Sequence, residues 1–130
     1  MRILLVDDDP DALILGQFAL QRRPGWTVDT CARAEEVVQH IQDERPQVVL
    51  LDFMLGDVDG FQVLETIRSQ LAGAGALTSP DVTLPVIFLS GKGAELTERA
   101  LAAGALGVIA KPFDPATLAD AVERLLVDNL

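Results

Sequence analysis

Chemically reactive side chains follow two apolar runs that are typical of buried strands. Asp7 and Asp8 come directly after Ile3–Val6, and Asp52 comes directly after Val48–Leu51. In an open α/β sheet the carboxyl ends of the parallel strands form the ligand crevice, so we expect these three carboxylates to meet there. Crowded carboxylates repel one another unless a cation lies between them, and oxygen ligands favour a hard divalent ion. The pattern therefore predicts a Mg²⁺ site at this edge of the sheet.

Two further predicted strands end in groups that suit a phosphoryl ligand. Val86–Leu89 runs into Ser90, and Val108–Ala110 runs into Lys111 and Pro112. A hydroxyl and an ammonium at the same edge can both donate hydrogen bonds to phosphoryl oxygens. Together with the acidic residues, they indicate a place where phosphate is handled.

Length and composition predict one domain over residues 1–130, with no separate output domain. The chain has no apolar run of the ~20 residues that span a bilayer, and its N-terminal apolar run lacks a preceding basic region. We therefore expect cytoplasmic localisation and no membrane interaction. The net charge of -10 argues against direct nucleic-acid binding, which depends on lysine and arginine neutralising phosphates.

Two other reactive side chains are interpreted as structural. Cys31 is the only cysteine, so no internal disulfide can form, and we interpret it as a small buried apolar residue. His40 lies in the middle of a predicted helix among solvated residues, and we expect no phospho-accepting role for it.

Hydrophobic patterning predicts five strands, each followed by a helix. The predicted strands are approximately Arg2–Val6, Trp26–Cys31, Val48–Leu51, Val86–Leu89 and Gly107–Ala110. The predicted helices are approximately Pro10–Arg22, Ala34–Glu44, Phe61–Leu71, Ala94–Ala103 and a last helix that begins near Pro115. Residues 72–81 are predicted to be a surface loop. Strands that alternate with helices indicate a doubly wound parallel sheet with helices on both faces.

Five motifs near strand ends resemble those of one family, the receiver domains of two-component response regulators, which are also called CheY-like domains. The motifs are Val6-Asp7-Asp8, Leu51-Asp52, Asp59-Gly60, Leu89-Ser90-Gly91 and Lys111-Pro112-Phe113. Each motif alone is weak, but the full set in this order is specific and covers essentially the whole chain. The resemblance implies a flavodoxin-like (βα)5 fold with strand order 2-1-3-4-5.

The resemblance also implies a role for each residue of the cluster. Asp52 would accept a phosphoryl group from a histidine kinase or a histidine phosphotransfer protein, and Ser90 and Lys111 would bond to the phosphoryl oxygens. Mg²⁺ would be the cofactor, held by three carboxylates and one backbone carbonyl: Asp7, Asp8, Asp52 and Met54. Such a domain is a signalling switch and not an enzyme with other substrates, since it promotes only its own phosphorylation and dephosphorylation.

The sequence departs from the family at two positions near the cluster. Gly56 stands where the family usually has proline, so we expect a more mobile loop after the third strand. Val108 stands where the family usually has an aromatic residue that changes rotamer on activation, so we expect the switch to couple differently. The resemblance further implies a cis peptide bond between Lys111 and Pro112.

Partner surfaces are expected at two places. The first helix carries more apolar residues than one buried stripe needs, which indicates a contact surface for a homodimer or a kinase. In the family, the α4-β5-α5 face, formed by the last two helices and the last strand, contacts an output protein or a second copy. Here that face would include four charged residues: Glu98, Arg99, Asp120 and Arg124.

Other functions fit the residues less well. A vestigial receiver, used only as a protein-binding module without phosphorylation, remains an alternative, although the complete set of site residues argues against it. An aspartate-nucleophile phosphatase would need a second acid two residues beyond Asp52, where Met54 stands. A flavin-binding flavodoxin relative would need a loop rich in hydroxyls and glycine after the first strand, and the acidic residues found there would repel a phosphate.

Overall fold

A computed structural model gives the structure of the protein and describes residues 1–72 and 84–128. The strands in these ranges are β1 Arg2–Val6, β2 Thr27–Cys31, β3 Val48–Asp52, β4 Met54–Leu55, β5 Val58–Asp59, β6 Val86–Ser90 and β7 Gly107–Ala110. The α-helices are α1 Pro10–Gln21, α2 Val37–Glu44, α3 Gly60–Ala72, α4 Gly93–Ala102 and α5 Leu118–Asp128. The surface loop predicted at 72–81 lies outside the described residues, except for Ala72 at the end of α3.

The large sheet is parallel and has five strands, which confirms the predicted α/β class. Its strand order is β2-β1-β3-β6-β7, so the predicted order 2-1-3-4-5 is corrected. The prediction counted five strands and missed β4 and β5, which form a separate antiparallel sheet directly after β3. Strands of two residues are too short to show an apolar alternation, which is why hydrophobic patterning did not reveal them.

The first helix begins as its sequence predicts, at Pro10, whereas the second α-helix begins three residues later than predicted, at Val37. The carboxylate of Asp9 caps α1 by accepting a hydrogen bond from the N–H of Asp11 at 3.0 Å, and Pro10 occupies the first turn. The second predicted helix is divided, because Ala34–Glu36 forms a 3-10 helix ahead of α2. Arg45 ends α2 in the left-handed conformation, with φ 49°.

The last helix begins later than predicted. We expected it near Pro115, but α5 begins at Leu118. In the intervening turn, the N–H of Ala116 donates a hydrogen bond to the carboxylate of Asp114 at 2.8 Å. A turn that is closed by its own aspartate side chain competes with helical hydrogen bonding, which explains the later start.

Apolar side chains fill both faces of the parallel sheet. The central strands β1, β3 and β6 are almost wholly buried, as expected for parallel strands between two layers of helices. One face packs against α2, α3 and α4, with Ile41, Leu64 and Ala100 buried, and the other packs against α1 and α5, with Leu20 and Val122 buried. Within the described ranges, no helix combines the length and the apolar character needed to cross a membrane.

Three phenylalanines pack beside the carboxyl end of β3. The rings of Phe53, Phe61 and Phe88 contact one another edge to face, with centroids between 5.1 and 5.7 Å apart. Gly60 begins α3 against this cluster, and a Cβ atom there would lie 2.9 Å from ring atoms of both Phe53 and Phe88. The missing side chain therefore lets α3 start close to the strand that carries Asp52.

Replacing Gly60 by alanine tests this close approach. We expect Gly60→Ala to lower the free energy of unfolding by about 1–3 kcal/mol, because the added methyl group would overpack the three rings. Urea unfolding followed by circular dichroism measures the change. Gly91→Ala is the matched control, since the nearest atom to an added Cβ there lies 4.0 Å away. Equal stability of the two variants would contradict the packing account.

Candidate functional site

The register of the sheet brings three carboxylates together, as the sequence predicted. β1 and β3 are neighbours, and Val6 pairs with Leu51, so Asp7 and Asp52 leave the sheet side by side. Asp7, Asp8 and Asp52 each offer a carboxylate oxygen, and these oxygens all lie within 4.8 Å of one another. The three residues form a compact acidic cluster at the carboxyl edge of the sheet.

Backbone N–H groups fix each carboxylate of the acidic cluster. Asp7, which is 1% exposed, accepts a hydrogen bond at Oδ1 from the N–H of Asp9 at 3.0 Å. The exposed Asp8 accepts one at Oδ2 from the N–H of Gly56 at 3.1 Å. Asp52, which is 7% exposed, accepts a longer hydrogen bond at Oδ1 from the N–H of Met54, at 3.4 Å. The cluster is therefore buried on its inner side and open to solvent at Asp8.

Lys111 supplies the positive charge of the site. Its Nζ atom lies 2.7 Å from Oδ2 of Asp7 and 3.4 Å from Oδ1 of Asp52, and the Lys111–Pro112 peptide bond is cis. The closer ion pair is thus with Asp7, whereas the resemblance had indicated only a later contact with the phosphoryl group. Because Asp7 is buried, removing its partner would leave a desolvated charge, which typically costs about 3–5 kcal/mol.

The electrostatics of the acidic cluster favour an additional cation. Burial raises the pKa of Asp52 to about 6, and the negative charge of Asp7 adds to this rise, while Lys111 opposes it. Burial alone would lower the pKa of Lys111, but its hydrogen bond to Asp7 and the charges of Asp52 and Asp7 outweigh burial and raise it. Lys111 is therefore a cation at neutral pH, and one ammonium does not balance three carboxylates.

Ser90 lies at the same edge as the acidic cluster but is held by a different group. It ends β6, one residue beyond Leu89, which pairs with Asp52 across the sheet. Its hydroxyl oxygen accepts a hydrogen bond from the N–H of Lys92 at 3.0 Å, and the side chain is buried. The backbone also joins this strand end to the next one, because the N–H of Lys111 donates to the carbonyl of Ser90 at 2.9 Å.

A small hairpin borders the acidic cluster where we expected a more mobile loop. β4 and β5 pair through Met54 with Asp59 and Leu55 with Val58, and two residues connect the strands. Gly56 is the first of these two and has φ +60°, as the first central residue of a type II′ turn requires. Proline, with φ fixed near -65°, could not adopt this conformation, which explains glycine here in physical terms. The ligand role expected for the Met54 carbonyl stays a prediction.

The position of the missing aromatic residue is occupied by a packed aliphatic side chain. Val108 pairs with Phe88 in the sheet, is half-buried and packs against the core.

The helices α3 and α4 make a further contact, in which the guanidinium of Arg99 on α4 lies 4.9 Å from the centroid of the Phe61 ring. A groove of about 590 Å³ between α3 and α4 is lined by Phe61 and Arg99 and by no member of the acidic cluster. Sequence patterning did not reveal these contacts, because they join residues far apart in the chain.

Comparison with known proteins assigns this arrangement to a family. The model of the response regulator receiver domain matches residues 3–123. The chain therefore belongs to the receiver domains of response regulators in two-component systems, which confirms the family resemblance found in the sequence. Its five-stranded α/β architecture is that of CheY-like domains.

Individual relatives agree with the family assignment. The transcriptional regulatory protein TrcR of Mycobacterium tuberculosis is 32% identical over 96% of this chain, and the match covers 44% of that protein. The chain spans about half the length of the first curated relatives it matches. Regulation of transcription is thus named for relatives that are about twice as long as this chain.

Solved structures share the fold over nearly the whole chain. A two-component response regulator of the LuxR family from Aurantimonas sp. has a TM-score of 0.78 at 30% identity, covering 98% of this chain and 85% of that one. The chemotaxis response regulator CheY4 of Vibrio cholerae has a TM-score of 0.77 at 26% identity, covering 95% of this chain and 97% of that one.

The raised pKa of Asp52 predicts a pH-dependent effect of removing its charge. The folded protein binds the Asp52 proton more tightly than the unfolded chain, so the wild type loses stability as pH rises from about 4 through about 6. Without divalent cations, Asp52→Asn should therefore be more stable than the wild type by about 1–2 kcal/mol near neutral pH and by little near pH 4.

Urea unfolding in EDTA across this pH range measures the difference. Asp57→Asn is the matched control, since Asp57 is an exposed acid in the adjacent turn and outside the acidic cluster. A stability difference between Asp52→Asn and the wild type that stays constant with pH would contradict the electrostatic account.

Proposed function

We propose that this chain is a phospho-accepting receiver domain in which Asp52 takes a phosphoryl group from phosphohistidine in a Mg²⁺-dependent reaction. One observation supports the proposal above all others. Asp52 is buried at the end of the central strand, with the Lys111 ammonium 3.4 Å away and the carboxylates of Asp7 and Asp8 beside it. Burying a carboxylate among other acids is unfavourable for stability, and such perturbed groups cluster at functional sites.

The donor atoms of the acidic cluster fit Mg²⁺. Carboxylate oxygens are the hard ligands that this ion prefers, and the exposed Asp8 leaves room for the water ligands that it retains. The residues that would hold the ion are Asp7, Asp8, Asp52 and Met54, the last through its backbone carbonyl. When bound, the ion would neutralise charge on the phosphoryl oxygens during the transfer.

The chain's own residues would carry out the transfer. A carboxylate oxygen of Asp52 attacks phosphorus, and the bond from phosphorus to the donor's imidazole nitrogen breaks, with its electron pair going to the imidazole. Lys111 would move from Asp7 to a phosphoryl oxygen, and the hydroxyl of Ser90 would donate a hydrogen bond to another. The product is an acyl phosphate that water can hydrolyse, so the signal would limit itself and the domain would act on no substrate but itself.

A small phosphoryl donor tests the proposal without a partner protein. We expect incubation with phosphoramidate and Mg²⁺ to add one phosphoryl group to the wild type, as measured by intact mass. EDTA or Asp52→Asn should abolish the gain, and Asp57→Asn should retain it as the matched control. A folded wild-type protein that gains no mass at any donor concentration would contradict the proposal and favour the vestigial binding module.

The outer face of α1 is proposed as the contact for the protein that donates the phosphoryl group. Ile14, Leu15 and Phe18 are 68%, 42% and 63% exposed, whereas Leu13 packs against the core. α1 begins next to the acidic cluster, so a kinase or phosphotransfer protein whose histidine reaches Asp52 would cover this end of the helix. Apolar side chains in such a position are typical of a protein contact.

A charged substitution on this face of α1 distinguishes docking of the donor protein from the phosphoryl transfer itself. We expect Ile14→Asp to slow transfer from an autophosphorylated histidine kinase by about 10-fold or more, because the contact would bury an unpaired charge. The kinase is first selected by its transfer to the wild type. Phosphorylation by phosphoramidate should stay unchanged, and Val127→Asp, which alters an exposed apolar residue on α5, should behave as the wild type with both donors.

An unchanged transfer rate from the kinase in Ile14→Asp would contradict this use of α1. The same face of α1 was also predicted to form a homodimer contact. Sedimentation of the wild type and Ile14→Asp over a range of concentrations tests that prediction. A dimer that forms in the wild type and is lost in the variant would indicate homodimerisation through α1.

The output surface is proposed on α4, β7 and α5, which is the face predicted above under the family's label α4-β5-α5. Leu101 and Val127 are exposed apolar side chains on α4 and α5. Asp120 forms an ion pair with Arg23, and Arg99 stacks on Phe61, so two of the four predicted charged residues are already engaged within the chain. A partner would therefore meet the exposed apolar residues more readily than these two charges.

A further inference from the structure

A second group of metal-binding side chains lies between β2 and α2, and we name it the Cys31 cluster. It consists of Cys31 at the end of β2, Glu36 directly before α2, and His40 one helical turn further on. One ligand atom of each residue lies within 4.8 Å of the ligand atoms of the other two. The cluster shares no residue with the acidic cluster at the carboxyl edge of the sheet.

A carboxylate orients the histidine of the Cys31 cluster. Nδ1 of His40 lies 2.8 Å from Oε1 of Glu44, one helical turn along α2. With a proton on Nδ1 donated to Glu44, Nε2 of the neutral ring keeps its lone pair for a metal. The other oxygen of the Glu44 carboxylate, Oε2, is buried and has no hydrogen-bond partner among the described residues. A nearby cation would relieve this uncompensated negative charge.

The surroundings of the Cys31 cluster allow a cation to enter. A cavity of about 250 Å³ beside it is lined by Glu36 and by four polar side chains of α2: Gln39, His40, Asp43 and Glu44. Three of these are acids, which makes the cavity electronegative. Burial increases inward, since Glu36 is exposed, His40 is half-buried and Cys31 is buried. An ion could therefore reach Glu36 and His40 from solvent, and the sulfur of Cys31 lies within 4.8 Å of their ligand atoms.

We propose that Cys31, Glu36 and His40 form a Zn²⁺ site that ties the end of β2 to the start of α2. Sulfur, imidazole nitrogen and carboxylate oxygen are the ligands that Zn²⁺ uses, and three protein ligands leave a fourth tetrahedral position for water. Binding breaks the S–H bond of Cys31, releases the proton to solvent and uses the sulfur electron pair for the bond to the metal.

Coordination would replace both the proton and the present hydrogen bond of the buried Cys31 thiol. A protonated buried thiol is a poor nucleophile, but a bound Zn²⁺ would replace its proton. Its present hydrogen bond to the carbonyl of Arg33, at 3.2 Å, would be exchanged for the bond to the metal.

The site would also stiffen the edge of the acidic cluster. The N–H of Asp7 donates a hydrogen bond to the carbonyl of Cys31 at 3.1 Å. A metal that holds Cys31 would therefore hold one of the backbone groups that position Asp7. The Zn²⁺ site does not depend on phosphorylation of Asp52 and can be tested separately from it.

Cobalt titration of the full chain tests the proposal, because Co²⁺ replaces Zn²⁺ and reports thiolate ligation by a charge-transfer absorption band. Excess Mg²⁺ is present throughout, so that the acidic cluster does not compete. We expect one equivalent of Co²⁺ to bind with this band, Zn²⁺ to displace it, and native mass spectrometry to show one Zn²⁺. Cys31→Ser should lose the band.

Matched variants locate the ligands. Glu36→Gln should weaken binding by about 10-fold or more, and Glu44→Gln, which alters the positioning residue, by about 10–100-fold with the same band. Glu35→Gln should bind like the wild type, because the adjacent Glu35 is exposed and pairs with Arg33 outside the cluster. Circular dichroism in EDTA shows that each variant is folded. The Glu36→Gln variant is the decisive one, because Glu36 is exposed and its substitution does not disturb the core.

Three results would overturn the proposal. One is the absence of a charge-transfer band in the wild type at millimolar Co²⁺. Another is equal affinity of the Glu36→Gln and Glu35→Gln variants for Co²⁺. The third is binding that survives Cys31→Ser and disappears in Asp8→Asn, which would place the metal at the acidic cluster instead.

Discussion

The arrangement of the strands brings the carboxylates of Asp7, Asp8 and Asp52 close enough to repel one another. β1 and β3 are hydrogen-bonded neighbours in register, so the backbone at Asp7, directly after β1, and at Asp52, the last residue of β3, is held side by side. Burial and the negative charge of Asp7 raise the pKa of Asp52 to about 6, and Lys111, which approaches from the end of β7, opposes only part of this rise. The fold thus holds a cluster of negative charge that a further cation would neutralise, and the Mg²⁺ of the proposed function would be that cation.

The elements around the acidic cluster keep this unfavourable arrangement in place. N–H groups of the α1 start and of the β4–β5 turn hold Asp7 and Asp8, and the Phe53, Phe61 and Phe88 rings support the end of β3. Of these three rings, Phe61 also stacks against the guanidinium of Arg99 on α4.

Much of the fold and of the acidic cluster could be predicted because the signals are local. Buried parallel strands are continuous apolar runs, and the runs of β1, β3, β6 and β7 each lead into a residue of the predicted site. The hairpin β4–β5 was missed since two-residue strands have no period, and the start of α5 was misplaced because Asp114 closes its own turn. The Lys111–Asp7 ion pair joins residues 104 positions apart, which no local pattern encodes. The Cys31 cluster lies within ten residues of sequence, but it was missed because Cys31 and His40 were each interpreted separately as structural.

The most direct test of this account is a titration of the Asp52 side-chain carboxyl by carbon-13 NMR, with and without Mg²⁺. The account predicts a pKa of about 6 in the metal-free protein and a clear decrease when Mg²⁺ is added, because the ion stabilises the ionised carboxylate. A pKa at the ordinary value for aspartate that does not respond to Mg²⁺ would contradict it. That result would mean that neither burial nor the neighbouring charges perturb the pKa of Asp52, and that Asp52 is not part of a metal site.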